Sequence, residues 1–386
     1  TIDGVDFVFQ MTPETEAPAE MCVYLPQFRA LCMAELVNSH LHNLLPLRGA
    51  KARSAFMWAQ YLQEALHLFG DGTDVMFITH HWPCWGTAAV KDLLEKQRDL
   101  YKYINDQTVR AIRHGQTMVE IAEDLALPES LNSEWCSRGY YGSLNHNVKA
   151  TYQWYLGWYD GVPANLNPLP PEEGGRKYVE FMGGPEETLR KARESYEKGE
   201  YRWAVTVLNH LVFSGLGGAE AEALLADTYE QLGWQAECAT WRNSYLQGAK
   251  ELREGPAHLP QRTASSASLE NLPTDAVLAF LATTLDPARA AGVRLAVNIS
   301  LTDTGETWCA LLANSVLSCW PAADEGAAAT CPMTRRTLDR LAAGELDAGA
   351  ALAEGQVLEQ GEAGALQALF AVFEEAPATG FNIVTP

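Results

Sequence analysis

The sequence is poor in basic residues and has no long apolar run. Its 386 residues include 28 Lys and Arg against 49 Asp and Glu, which gives a formal net charge of −21. Such a field repels nucleic acid and anionic lipid, so we expect no nucleic-acid partner, and an anionic substrate would need a local cationic pocket. The longest apolar runs are far too short to cross a bilayer, which predicts no transmembrane segment.

Cysteine pairs spaced for metal binding are also missing. The eight cysteines are widely separated and include no Cys-x-x-Cys pair, which argues against a cysteine-ligated zinc site. Their spacing is more typical of small buried apolar residues than of a disulfide framework. The cysteines therefore leave the cellular compartment open.

The first 90 or so residues show an α/β pattern. Short β-type runs and one helical stretch alternate with loops over the first 90 or so residues. The predicted strands are 5–10, 21–25, 30–34 and 74–79, and the predicted helix is 50–69. Because the chain begins at Thr1 inside a strand pattern, we expect that a segment precedes it. Amphipathic helices are predicted between 88 and 127, followed by a long functional loop from 133 to 173.

A repeat of 34 residues lies in the helical segment 186–254. Ala192 and Gly199 match Ala226 and Gly233 at this offset, which is the tetratricopeptide period. Small residues let helices approach closely, and we expect each of the two glycines to end a helix. Two such units cannot cap both ends of a solenoid, so they are expected to pack on the α/β domain, on another subunit, or on both.

The last third of the sequence predicts a separate α+β domain. Pro, Gln, Thr and Ser residues predict a linker before it, up to residue 272. Strands are predicted at 293–302, 308–313 and 315–320, with helices at 275–285, 334–343 and 364–375. A small sheet with helices on one face often encloses an apolar pocket.

Three segments place potential metal ligands after apolar runs. Glu16 lies in an acidic loop after the first strand, Glu35 closes the run 30–34, and His80 and His81 follow the strand 74–79. Strand ends are where α/β proteins place ligands, and a rigid Trp and Pro turn would fix a histidine ligand. Taken singly, each segment also fits a structural role. The acidic loop could be solvated, Glu35 could be a cap or form a salt bridge, and the histidines could be structural.

Two other segments carry polar candidates. His40, His42 and Arg48 lie close together, where an imidazole could act as an acid and a guanidinium could grip an oxyanion. His146 and Tyr159 place donors in the long predicted loop. A decorated surface loop and aromatic packing are the alternatives.

Taken in order, these segments resemble the alkylsulfatase branch of the metallo-β-lactamase superfamily, essentially end to end. The segments that carry the resemblance are Thr15-Glu-Ala-Pro-Ala-Glu20-Met21, Cys32-Met-Ala-Glu35, Leu41-His-Asn43, Leu47-Arg-Gly49, His80-His-Trp-Pro83, His146-Asn147, Leu156-Gly-Trp-Tyr-Asp-Gly161, Pro163-Ala-Asn-Leu-Asn-Pro168 and Phe381-Asn-Ile-Val-Thr-Pro386. The resemblance implies four parts: the C-terminal part of an α/β metallo-β-lactamase-like domain at 1–165, an all-α tetratricopeptide-like dimerisation domain at 166–255, a linker at 256–272, and an α+β sterol-carrier-like domain at 273–386.

The resemblance also implies a site. The family holds two zinc ions, and the matching ligands here are Glu16, Glu35 and His80, although His81 remains an alternative to His80. His42 resembles the acid that protonates the departing sulfate. The resemblance also implies that Arg48 clamps the sulfate and that His146 and Tyr159 make further contacts with it. The family's His-x-His-x-Asp-His motif is absent, so the other ligands are expected from an upstream fragment.

The implied function is zinc-dependent hydrolysis of alkyl sulfate esters, such as dodecyl sulfate, by a homodimer in which this chain supplies part of each site. A non-catalytic dimerisation and lipid-binding module is one alternative, and a metallo-hydrolase acting on a phosphate ester, lactone or thioester is another. Family analogy favours a periplasmic or secreted protein, with the cytoplasm as the alternative. One departure is Glu14, where the family usually has a Gly, whose backbone tolerates angles that Glu does not.

Overall fold

The computed structural model describes residues 1–256, 265–374 and 384–386. The chain forms two compact units, one built from Thr1–Gly255 together with Asn382–Pro386 and the other from Pro256–Phe381. Within the described residues, no helix is both long and apolar enough to cross a membrane. Residues 257–264 of the predicted linker, residue 375 of the last predicted helix, and most of the terminal motif lie outside the described residues.

The first unit begins with strands and continues with helices. Its strands are β1 (Val8–Met11), β2 (Met21–Leu25), β3 (Ala30–Cys32), β4 (Val75–Phe77) and β5 (Cys84–Trp85). Its helices are α1 (Ala55–Phe69), α2 (Thr87–Arg113), α3 (Met118–Asp124), α4 (Glu129–Asn132), α5 (Leu144–Leu156), α6 (Pro171–Phe181), α7 (Pro185–Glu197), α8 (Tyr201–Phe213), α9 (Gly218–Gln235) and α10 (Ala239–Glu254).

The sheet of the first unit has the strand order β1-β2-β3-β4-β5. The pairs β1/β2, β2/β3 and β4/β5 are antiparallel, whereas β3 and β4 are parallel, with Leu31 opposite Met76. Helix α1 lies in the connection between the two parallel strands, as such a crossover requires. Strands β1, β3 and β4 therefore run in the same direction, and their carboxyl ends meet at one edge.

The core beneath this edge is aromatic. Trp58 of α1 and Tyr101 of α2 are fully buried, and their rings stack with centroids 4.9 Å apart. The indole N–H of Trp58 donates to the carbonyl of Leu36, 2.6 Å away, so its polar atom is satisfied. This pair fixes the chain that leaves β3.

The repeat residues occupy helix contacts in the helical segment. Ala192 and Ala226 are buried in α7 and α9, and Gly199 follows α7 with a φ of 77°, as a helix-ending glycine does. The prediction for Gly233 was wrong, because it lies inside α9. A Cβ there would come within 3.0 Å of the Leu246 side chain, so close packing against α10 explains this glycine.

The second unit is an α+β domain. Its strands are β6 (Leu295–Leu301), β7 (Thr307–Ala313), β8 (Val316–Trp320), β9 (Ala329–Met333) and β10 (Gln360–Gly361), in the order β10-β9-β6-β7-β8. Its helices are α11 (Ser266–Leu269), α12 (Thr274–Ala282), α13 (Arg335–Ala342), α14 (Ala348–Ala353) and α15 (Ala365–Phe370). Strand β9 pairs parallel to β6, and the other strand pairs are antiparallel.

Two predictions need correction. The segment 133–173 is not one long loop, because α5 occupies its middle, capped by the Ser143 side chain, which accepts from the backbone N–H of His146. The predicted linker is not uniformly irregular either, since α11 lies within it and buries Leu269 in the core of the second unit. In both cases a short capping signal outweighed a composition typical of loops.

Candidate functional site

The shared strand edge brings together the acidic and histidine segments. Glu35 follows β3 and His80 follows β4 by the same number of residues, and two backbone hydrogen bonds, Met33 to Phe77 and Thr79 to Ala34, extend the pairing beyond the strands. Glu16 lies in the hairpin loop after β1, whose carboxyl end shares this edge. The fold therefore places three distant segments side by side.

The Glu35 carboxylate lies at the centre of the cluster. Its Oε1 atom is 2.5 Å from Nε2 of His80, and its Oε2 atom is 3.4 Å from Nε2 of His42. The His42 side chain is 1% exposed, whereas His80 is 51% exposed, so the cluster runs from the protein interior to the surface. One ligand atom each from Glu16, Glu35 and His42 lie within 4.8 Å of one another.

Arg53 completes the buried side of the cluster, and sequence reasoning missed it. The guanidinium is buried, with Nη2 2.5 Å from Glu16 Oε1 and Nη1 donating to the backbone carbonyl of Asn43 at 3.1 Å. Its Nη1 is also 3.3 Å from Nδ1 of His42. Arg53 carries no motif in the sequence, and it is the fold that places it, immediately before the Ser54 helix cap, beside the carboxylate partner that a buried guanidinium needs.

The electrostatics of the two glutamates differ. The His42 imidazole, with His80 adding to it, holds the pKa of Glu35 at about 2 although burial opposes this. Burial raises the pKa of Glu16, and the nearby Glu35 raises it further while Arg53 opposes both. Burial likewise raises the pKa of Glu20, with the charges of Glu16 and Glu35 next in importance. The two carboxyl groups therefore differ in proton affinity, and Glu35 is the more acidic of the two.

The orientation of His42 is set from several sides. Its Nδ1 is 3.0 Å from the carbonyl of Asn43, and its ring packs against Trp58 and Tyr141 with centroids 5.6 and 4.8 Å away. Asn147 donates to the His42 carbonyl at 2.8 Å. The ring thus lies between the Asn43 carbonyl, which faces Nδ1, and the Glu35 carboxylate, which faces Nε2.

The remaining predicted residues lie outside this cluster. Arg48 is exposed, and its Nη1 donates to the hydroxyl of Tyr141 at 3.3 Å, so one aromatic residue separates it from His42. Both ring nitrogens of His146 are engaged, one with Leu45 and one with Trp241. Tyr159 packs beside Trp158, with ring centroids 5.7 Å apart, in the segment after α5.

A second pair of histidines flanks the cluster. The rings of His40 and His81 meet edge to face with centroids 4.3 Å apart, and burial, then His81, lowers the pKa of His40 to about 4. Nδ1 of His40 and Nε2 of His81 are buried and have no hydrogen-bond partner among the described residues. The structure thus places His80 against Glu35 and turns His81 towards His40.

The donor set fits a zinc site. Carboxylate oxygens and imidazole nitrogens are ordinary zinc ligands, and a buried Nε2 of His42 that lacks a well-formed hydrogen bond within the described residues is available to a cation or to a bound group. The pair of carboxyl groups offers the negative charge that would hold such an ion. The cluster can therefore hold a metal and move a proton at His42, with the Arg53 guanidinium paired to Glu16 on its buried side.

Comparison with known proteins places the chain in a family. The family model described as alkyl sulfatase dimerisation matches residues 117–255, and the model described as alkyl sulfatase C-terminal matches residues 262–386. Among curated relatives, the alkyl/aryl-sulfatase BDS1 of Saccharomyces cerevisiae is 44% identical over 388 residues, and a linear primary-alkylsulfatase of Pseudomonas sp is 43% identical over 387 residues. Both alignments cover 100% of this chain.

A solved structure agrees with these relatives. The stereoselective inverting sec-alkylsulfatase Pisa1 from Pseudomonas sp. matches with a TM-score of 0.95 and 41% identity, covering 100% of this chain and 61% of that one. The chain spans 59% and 57% of the lengths of the two curated relatives. The two family models together cover more than half of the sequence. On these grounds the chain belongs to the alkylsulfatase family.

Proposed function

We propose that this chain contributes Glu16, Glu35 and His80 to a two-zinc site that hydrolyses alkyl sulfate esters to an alcohol and inorganic sulfate. The observation that carries this function is the convergence of Glu16, Glu35, His80 and His42 at one sheet edge, in a family whose curated members are named alkylsulfatases. The proposal assigns to this chain only a part of the ligand set.

Three side chains of this chain would hold the zinc ions. They are Glu16, Glu35 and His80, and Glu35 faces a histidine with each of its oxygens. Bound zinc would supply charge neutralisation for the anionic ester and a water of lowered pKa. The Arg53–Glu16 ion pair would hold the Glu16 carboxylate in place while the metal is bound.

His42 is the proposed proton donor. Sulfate is a better leaving group when its oxygen is protonated. A positioned general acid typically raises the reaction rate by about 10²–10⁴-fold. The Asn43 carbonyl and the Glu35 carboxylate orient the His42 ring so that its Nε2 faces the cluster, where this step needs a proton donor. Arg48 would clamp the sulfate from the exposed side, next to the Tyr141 ring that packs on His42.

We further propose that the sheet of the first unit is the C-terminal part of a metallo-β-lactamase-like domain and that the second unit is a sterol-carrier-like domain for apolar substrates. The ligand positions after parallel strands support the first assignment. The family of the helical segment is named for dimerisation, which supports a homodimer formed through that segment.

The test uses the protein at its full natural length, because the chain spans just over half the length of its relatives. Purified protein should release inorganic sulfate from dodecyl sulfate, lose this activity when a chelator removes the metal, and regain it with zinc. His42→Gln should lower kcat by about 10²-fold or more, whereas His67→Gln, an exposed histidine of α1, should leave it unchanged. Absence of sulfate release from a panel of alkyl sulfates, or full activity after metal removal, would overturn the function.

A further inference from the structure

An unbroken chain of hydrogen bonds connects the helical segment to the loop that carries His42. Trp241, in the first turn of α10, donates its indole N–H to Nδ1 of His146 at 2.9 Å. Nε2 of the same imidazole lies 2.7 Å from the carbonyl oxygen of Leu45. Trp241 and Leu45 are almost 200 positions apart in the sequence, and His146 is the residue that links them.

The two partners determine the proton on His146. An indole N–H can only donate, so Nδ1 must be the unprotonated acceptor, and a carbonyl can only accept, so Nε2 must carry the hydrogen. His146 is itself buried. The ring is therefore held as a single neutral tautomer, with both nitrogens satisfied and neither free for a ligand.

The residue next to His146 holds the same loop at two more points. The amide of Asn147 donates to the carbonyl of His42 at 2.8 Å, and its Oδ1 accepts from the backbone N–H of Leu44 at 3.0 Å. Together with the bond from His146 to Leu45, one turn of α5 grips residues 42–45 by three hydrogen bonds. His42 lies at the start of this gripped segment, facing Glu35.

We infer that Trp241 and His146 are positioning residues that set the orientation of His42 through the 42–45 loop, a role that rests on the proposed function for its effect on catalysis. The helical segment whose family is named for dimerisation thus also supports the site. Residues that orient a ligand or an acid from behind typically change activity by about 10–100-fold when they are removed. Their effect falls on kcat, because they do not touch the substrate.

The charge of Lys149 favours the same neutral tautomer of His146. Lys149, one turn further along α5, holds its ammonium 5.0 Å above the Trp241 ring, and it adds to the burial that lowers the pKa of His146. A positive charge there opposes a second positive charge on the imidazole. His146 accordingly keeps a free acceptor for Trp241 at neutral pH.

The decisive variant is Trp241→Phe in the full-length protein, which keeps an aromatic ring but removes the only hydrogen that Nδ1 can accept from it. Nitrogen-15 NMR of the histidine rings should show that His146 loses its single tautomer and that the His42 signals move. The value of kcat on dodecyl sulfate should fall about 10-fold or more, with KM and zinc content unchanged. Trp203→Phe, which changes an exposed tryptophan of α8, is the matched control and should alter none of these.

A second pair of variants separates the positioning role from a general loss of folding. His146→Gln keeps an amide N–H for the Leu45 carbonyl and should retain more activity than His146→Leu, with KM unchanged in both. A raised KM with unchanged kcat would instead make His146 a sulfate contact and overturn the positioning role. Unmoved His42 signals in Trp241→Phe would also overturn it, and this NMR result decides the matter even if dodecyl sulfate proves not to be a substrate.

Discussion

Replacing Arg53 with methionine should destabilise the first unit strongly. The Arg53 side chain is 5% exposed and is paired with Glu16, whose side chain is 19% exposed. Removing one member of a buried ion pair typically costs about 3–5 kcal/mol, because the remaining charge is left without a partner. Since Glu16 keeps some contact with water and can take up a proton, we expect a loss at the lower end, about 3 kcal/mol.

A thermodynamic cycle separates the ion pair from the packing of the arginine. Glu16→Gln removes the charge that Arg53 serves, so Arg53→Met should cost less in that background by about 1.5–3 kcal/mol, the range for hydrogen bonds to charged groups. The assay is urea unfolding at neutral pH, followed by tryptophan fluorescence, with zinc removed so that metal binding does not contribute. Equal losses in the two backgrounds would refute the pairing.

The pH dependence gives a further check on the same pair. Without Arg53 the pKa of Glu16 in the folded protein should rise further above its unfolded value, since the arginine is the main influence that lowers it. The penalty of Arg53→Met is then fully present well above the folded pKa and disappears as pH falls below the unfolded value of about 4.5. A penalty that grew at acid pH would contradict the assignment.

Three further outcomes can be measured by the same unfolding assay. Glu14 is exposed and has a φ of 64°, so Glu14→Gly should stabilise the protein by up to about 1 kcal/mol, which is the relief of left-handed strain minus the entropy cost of glycine. The control Gln60→Gly, on the exposed face of α1, should cost about 1 kcal/mol. A loss of stability in both variants would contradict the strain at Glu14. Gly142→Ala should cost about 1–3 kcal/mol because its Cβ would lie 2.8 Å from the His42 carbonyl, and Gly174→Ala, whose nearest neighbours are 3.7 Å away, is the control that should not lose stability. Burial lowers the pKa of His146, so the unfolding free energy should fall as pH drops below about 6.5, where the unfolded chain takes up a proton that the folded chain refuses; His146→Gln should make this slope shallower, and an unchanged slope would exclude His146 as its source.

Several strands and long amphipathic helices could be predicted because short β-type apolar runs and apolar residues at helical spacing are visible in the sequence. The prediction for β2 matched its bounds of Met21–Leu25, and α2 follows the apolar spacing seen in the sequence. Strand β9 was missed because Pro332 lies within it, and a proline cannot donate to a ladder. Pro332 lies beyond the two residues that pair with β10, and its carbonyl accepts from the backbone N–H of Leu358.

The candidate site was predictable only in part, since motif order identifies segments but not contacts. Glu16, Glu35 and His80 follow strands, and the parallel pairing of β3 with β4 makes the last two neighbours. Arg53 carried no motif, and its role depends on how the chain returns from the His42 loop to α1. No sequence spacing could show that both nitrogens of His146 are occupied, because Trp241 comes from a distant helix.

The decisive measurement for the proposed zinc site is the rate of sulfate release from dodecyl sulfate by the full-length protein carrying Glu35→Gln. The amide keeps the size of the side chain but removes the charge that faces His80 and His42, and it is a poor zinc ligand. We predict a fall in kcat of at least about 100-fold, together with loss of bound zinc, while Glu186→Gln at the exposed start of α7 behaves as the unchanged protein. Sulfate release at the unchanged rate by the Glu35→Gln protein would contradict the assignment of Glu35 as a metal ligand of the hydrolytic site.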